Sequence, residues 1–209
     1  MKVVHDVDLF DRHILTAVPG EYDATPAAPL LSLDSWPDEL TSSRYALAMG
    51  VCYLADTSGV LEVAGKFTPA TAERLQDIYP HRPISPAPVH FAPADVPHSQ
   101  LRSRVTTRMK MDSPVACDNT LHILRADHFI GRMASTRHLW ISSNAVWSST
   151  DERTCDDFHR LLSVMLLFSH DLNTRVFVLD EDVVPMNLDL APYNRILRTV
   201  GLSVERSTA

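Results

Sequence analysis

CDDFHRLLSVMLLFSHDLNTRVFVLDED, residues 155–182, is the stretch on which the fold class turns. Asp156 and Asp157 suit the positive end of a helix, and Ser149, Thr150 or Thr154 stands ready to start it. From Leu161 onward the helix is apolar nearly all round, which predicts a buried element. RVFVLDED, Arg175–Asp182, then runs four apolar residues into three carboxylates, as a strand does when it leaves the core for solvent. LAPYNRILRTVG reads as a second helix with Gly201 at its end, and LSVE as a closing strand. Upstream, TLHILRADHFIGRM reads as a hairpin or strand-turn-strand and HLWISSNAV as a strand. Strands alternating with helices make an α/β pattern, with crossovers long enough for parallel pairing.

The first half reads as α+β. Val3, Val4, Val7 and Leu9 suggest a short strand, followed by HILTAV, a turn at Pro19–Gly20 and a linker-like EYDATPAAP. Ser35 would cap a short helical turn. ALAMGVCYLADTSGVLEVAGKF is expected to form a hairpin, with two apolar runs flanking Asp56-Thr57-Ser58-Gly59. TPATAERLQDIYP predicts a helix capped by Thr68 with Pro69 at its first position. ISPAPVHF is an extended edge segment, because prolines suit the outside of a sheet. Asp95 to Arg104 reads as a last helix. The expected organisation is an N-terminal segment 1–28, a subdomain 29–104, a connector 105–119 and an α/β subdomain 120–209, with the two small subdomains packed together.

Composition narrows the function classes. The 209 residues carry a formal charge of -7, which disfavours a general nucleic-acid binder. No apolar stretch approaches a bilayer span and the start lacks a signal-peptide core, so a cytoplasmic chain without membrane insertion is expected. Cys52, Cys117 and Cys155 form no CxxC pair, so neither a zinc knuckle nor a disulfide framework is indicated. No GxxxxGK[ST] occurs, and with six glycines no phosphate loop is visible; no cofactor is expected.

Several groups of residues have the chemistry for a site. Asp180 and Asp182 are placed to hold a metal, although no phosphate loop gives the metal anything to bridge, and solvated acids at a strand end are favoured. His5, Asp6, Asp8, Asp11 and His13 are dense in metal-ligating types, but a strand sends His5 and Asp6 to opposite faces, so a charged, half-frayed terminus is expected. His122, Asp127 and His128 are read as half-buried ordinary residues, and His159 and His170 as helix-flanking ones. Cys155 at a helix start is the best nucleophile in the chain, though without a family signature. Ser142-Ser143 and Ser148-Ser149 lack the GxSxG elbow. Trp140 and Trp147 suggest two ends of one element. Arg102, Arg104, Arg108 and Lys110 make the one local basic run and are the expected partner-binding residues, beside a semi-rigid strip from His81 to Phe91.

LLSLDSW, PDELTSSRY, ALAMGVCYLADTSGVLEVAG, FTPATAERLQDIY and ISPAPVHFAPADVPHSQL, within residues 29–101, follow an order of elements that resembles the N-terminal docking module of bacterial type II secretion and type IV pilus assembly ATPases. The resemblance implies the docking module without its motor; the leucine-rich helical repeat with which some members bind cyclic di-GMP is missing from residues 1–28. The resulting expectation is a non-catalytic adaptor or docking component of a larger protein assembly, with a protein partner, linked to envelope secretion machinery. The alternatives are a small-molecule or nucleotide-binding regulator using the crevice at the C-terminal ends of the second-half strands, and a metal-dependent hydrolase centred on Asp180 and Asp182.

Overall fold

The computed structural model describes residues 1–91, 99–109, 116–127, 130–146 and 154–207. It is a mixed α/β fold with, among the described residues, four α-helices and eleven strands in one sheet. The first half runs β1 (Lys2–Val7), β2 (His13–Val18), β3 (Leu30–Leu33), α1 (Ser42–Cys52), β4 (Gly59–Phe67), α2 (Pro69–Leu75) and β5 (Ile84–Val89). The second runs β6 (Leu101–Thr106), β7 (Asn119–Arg125), β8 (Arg132–Ala134), β9 (His138–Ser143), α3 (Cys155–Leu167), β10 (Thr174–Leu179), α4 (Ala191–Leu197) and β11 (Ser203–Arg206).

Sheet order is β11-β10-β6-β7-β9-β3-β2-β1-β4-β5, with β8 hydrogen-bonded to β9. Read outward from the centre, each half has the same plan: β3-β2-β1-β4-β5 on one side and β9-β7-β6-β10-β11 on the other. In both, one helix precedes the fourth strand of that order and another precedes the fifth. The halves meet where β3 and β9 run antiparallel at Leu33 and Ser143. They differ inside: β1, β2 and β3 form an antiparallel meander, whereas β6, β7 and β9 are parallel.

One contiguous hydrophobic core serves both halves. α1 packs against α3. α2 meets α4 as well: the Thr71 and Thr199 hydroxyls are 2.8 Å apart, and Arg195 reaches Asp77 at 3.3 Å. These elements belong to opposite ends of the sheet order. A flat sheet of ten strands at about 4.8 Å spacing would hold its ends roughly 40 Å apart. The sheet must therefore curl until its ends approach one another.

Thr154 caps α3, and its hydroxyl and Asp157 form a reciprocal capping box. Every α3 residue from Asp157 to Leu167 is buried. Phe177 and Leu179 of β10 belong to the same hydrophobic core, while Val178 is buried outside it, as strand alternation requires. Thr68 and Pro69 begin α2, and β5 is the edge strand expected from Pro86 and Pro88.

The hairpin over residues 46–67 is corrected: Ser42–Cys52 is helix α1, capped by Thr41, and only the second apolar run is a strand. Ala, Leu and Met favour helix, and a helix buried on nearly every side shows no amphipathic period to announce itself. Gly65, at φ +91°, lets β4 approach α1: a Cβ there would stand 2.9 Å from the Ser42 carbonyl oxygen. The helix expected over Asp95–Arg104 is also corrected. Leu101–Thr106 is the interior strand β6, which spans the border drawn between residues 104 and 105; residues 92–98 lie outside the described ones. Among the described residues, no helix is long and apolar enough to cross a membrane.

Candidate functional site

β6 and β10 are parallel neighbours whose onward connections lead to opposite sides, to β7 and to β11. Their C-terminal ends therefore meet at a topological switch point, the place where an open α/β sheet leaves a crevice. It brings Asp180 and Asp182 of the RVFVLDED stretch beside Arg104 and Arg108 of the basic run. Arg104 Nε donates to Asp180 Oδ1 at 2.9 Å and Oδ2 at 3.0 Å, and Arg104 Nη2 donates to Oδ2 at 2.5 Å. Both side chains are largely buried. The hydrogen-bonded Asp180 carboxylate raises the pKa of Arg104, against its burial.

Asp182 accepts from the Thr107 amide and hydroxyl, both at 2.6 Å, and from the Thr106 hydroxyl at 3.1 Å; Arg108 Nε lies 3.9 Å away. The acids after β10 thus bind back onto β6 and the residues that follow it. A metal at Asp180 would have to displace a bidentate guanidinium. Among the described residues, no three His, Cys, Asp or Glu side chains converge as a metal site would need.

The basic run divides. Arg104 is committed to Asp180, Arg102 pairs with Glu205 at the surface, and Arg108 is the most exposed of the three. Lys110 lies outside the described residues. The strip from His81 to Phe91 contains β5 at one end of the sheet, whereas β6 is third from the other, so the basic run does not flank it within the sheet.

Two pairs of histidines form across neighbouring strands. His5 Nε2 lies 3.1 Å from His13 Nδ1, His5 stacks on Trp36 at 4.0 Å, and its Nδ1 lies 2.9 Å from the Tyr45 hydroxyl. The half-frayed terminus is corrected: β1 is paired on both sides, with β2 and β4. Burial, then the neighbouring His13, lowers the pKa of His5. In the second half, His122 Nε2 lies 3.1 Å from His138 Nδ1 and its ring stacks on Trp140. Burial lowers His122 too, although its contact with the Arg108 carbonyl opposes the shift. His128, Trp147, Ser148, Ser149 and Thr150 lie outside the described residues.

Cys155 faces a buried polar cluster. Its Sγ lies 3.5 Å from the Tyr193 hydroxyl and 3.8 Å from both the Tyr79 hydroxyl and His159 Nε2. His159 Nε2 is 2.8 Å from the Tyr193 hydroxyl, and full burial drives its pKa down to about 4. The imidazole is therefore neutral. Spacing of four along α3 puts Cys155 and His159 on one face, which was visible in the sequence; the tyrosines arrive from elsewhere in the chain. Ser143 spends its hydroxyl on the Ser32 carbonyl across the β3–β9 join. His170 reaches Glu39 at 3.3 Å.

The feature with the clearest outward face is the β1–β2 turn. Asp8 Oδ1 accepts from the amides of Phe10 at 2.8 Å and Arg12 at 3.0 Å, and Oδ2 accepts from Arg12 Nε at 2.8 Å. The Arg12 hydrogen bond is the largest influence lowering the Asp8 pKa. Arg12 also lies over the Phe10 ring at 5.4 Å. This bracing displays apolar groups: Leu9 is 99% and Phe10 78% exposed. Phe10 borders an open depression of about 450 Å³ with Ile130, itself 81% exposed, together with Asp34 and Gly131. Sequence reasoning grouped this turn with metal-ligating residues and missed it. The signal was two large apolar residues between Asp8 and Asp11 in a tight turn.

No family model, curated protein or solved structure matches the chain.

Proposed function

We propose that the chain is a non-catalytic docking component of a larger protein assembly, and that its partner seats on the β1–β2 turn. The observation that carries this reading is the braced display of Leu9 and Phe10 beside Ile130. Exposed apolar side chains scattered singly need no explanation, but Phe10 and Ile130 at one depression, with Leu9 next to Phe10 in the chain, favour a contact surface. The Asp8 and Arg12 contacts fix the turn before binding, so little conformational entropy remains to be lost on docking. A partner with an apolar ridge and polar edges would fill the depression and meet Arg12 and Asp34 at its rim. The link to envelope secretion machinery rests on the resemblance of residues 29–101, in which helix α1 stands where the module's hairpin is expected.

The test is a photoreactive amino acid at Phe10 in the source cell, with the same group at exposed Glu73 on α2 as control. The expected result is one discrete adduct from position 10, none from position 73, and loss of the adduct when Asp8→Ala releases the turn. Equal labelling at both positions would remove this surface from consideration.

A further inference from the structure

The polar cluster around Cys155 joins the two halves. Tyr79 follows α2 in the first half, while Cys155 and His159 stand on α3 and Tyr193 on α4 in the second. Cys155 opens α3, a helix of 13 residues, at the end where backbone N–H groups and the helix dipole favour negative charge. Its side chain is only partly buried, so a small molecule can reach the sulfur. Three polar neighbours surround that sulfur within 3.8 Å: the Tyr193 hydroxyl, the Tyr79 hydroxyl and His159 Nε2. Burial pushes the Cys52 thiol up to about 12 and raises Cys117 as well, so neither is a rival nucleophile.

A second observation fixes where the hydrogens of the cluster point. His159 is fully buried, and among the described residues its Nδ1 has no hydrogen-bond partner. A hydrogen on Nδ1 would be an orphaned buried donor, so the one hydrogen of the neutral ring belongs on Nε2. Nε2–H then donates to the Tyr193 oxygen, 2.8 Å away. That leaves the O–H of Tyr193 for Cys155 Sγ at 3.5 Å, and the O–H of Tyr79 faces the same sulfur at 3.8 Å. Both phenols are held as donors, because burial first, and then Cys155 itself, raises the pKa of each. Two O–H groups aimed at one sulfur suit a sulfur bearing negative charge, since a thiol sulfur is a weak acceptor. Asp156 opposes that charge, but it is exposed and screened by solvent, and Asp157 is committed to Thr154 at the helix cap.

We propose that Cys155 is a site of oxidation by hydroperoxides, which convert it stoichiometrically to a sulfenic acid. The thiol first gives its proton to solvent, because the buried His159, with its pKa near 4, is no base for it. An electron pair on Sγ then attacks the nearer peroxide oxygen, the O–O bond breaks, and the departing oxygen takes a proton from water. In sum, a thiol and hydrogen peroxide give a sulfenic acid and water; sulfur is oxidised by two electrons and the peroxide is reduced by two. Tyr193 and Tyr79 are positioning residues, whose O–H groups hold the charged sulfur before attack. An external thiol would reverse the change. The cluster shares no residue with the β1–β2 turn or the depression at Phe10, and the two assignments stand or fall separately.

The experiment treats the reduced full chain with hydrogen peroxide in the presence of dimedone, which traps sulfenic acids, and follows each cysteine by peptide mass spectrometry. Cys155 should carry the adduct and form it at least about tenfold faster than Cys117. Tyr193→Phe and Tyr79→Phe should each slow Cys155 roughly two- to tenfold, as the loss of one weak hydrogen bond implies, and leave Cys117 unchanged. Each should also move the midpoint of the Cys155 pH–rate profile upward, which a side chain that merely packs would not do. Tyr193 is buried and its replacement could disturb folding, whereas Tyr79 is only partly buried, so Tyr79→Phe carries the decision. The proposal is overturned if Cys155 yields no adduct, if Cys155 and Cys117 react at the same rate, or if Tyr79→Phe leaves both the rate and the pH profile of Cys155 in place.

Discussion

Single residues decide what the basic run can do. On the sequence alone, Arg102, Arg104 and Arg108 form one exposed group, and exchanging all three for Glu should leave stability nearly unchanged. In the fold only Arg104 turns inward, onto Asp180, with both partners about nine-tenths buried. Arg104→Glu would set two carboxylates face to face in that crevice, and breaking such a pair typically costs ~3–5 kcal/mol. Arg102→Glu and Arg108→Glu act on solvated groups and should change stability by less than ~1 kcal/mol. Chemical denaturation of the three single variants checks this, and equal midpoints would show that the Arg104 pair contributes nothing. The sequence placed Arg102 and Arg104 on one face of an extended segment, which β6 has. It could not show which strand would stand beside β6, and that neighbour supplies Asp180.

At the scale of elements, legibility followed boundary chemistry. α2, α3 and α4 were readable because caps, prolines and a terminal glycine mark their ends, and β9 and β10 because short apolar runs stop at polar residues. α1 and β6 were not. α1 is buried on almost every side and therefore has no polar stripe, and β6 is a central strand whose arginines point to partners on other strands. The histidine pairs failed for the same reason, since register between strands brings them together. α3 also carries a testable consequence on its buried face. His159 has a folded pKa of about 4 against an ordinary value of 6.5. The unfolded chain therefore binds more protons between those limits, and stability falls as pH drops through that window. The full loss by about pH 4 from this one group is ~3 kcal/mol. His159→Gln should flatten the pH dependence of the denaturation midpoint between pH 6.5 and 4. An unchanged slope would mean another group sets it.

For the molecule as a whole, the repeated strand plan has a consequence for what each half would do alone. The join at Leu33 and Ser143 is antiparallel, and the strands that meet there, β3 and β9, occupy the same place in their own halves. Residues 1–91 expressed alone would leave the β3 edge open and the buried α1 surface uncovered. An antiparallel edge is self-complementary, so a second copy can fill the place that β9 vacates, giving a closed, isologous pair in which α1 lies on its own counterpart. Sedimentation equilibrium of that fragment should give a species of twice the chain mass with native-like far-ultraviolet circular dichroism, and a folded monomer would count against it. In such a pair each copy would take the place that one half of the chain holds in the full sheet, with an antiparallel β1–β2–β3 meander on both sides of the join.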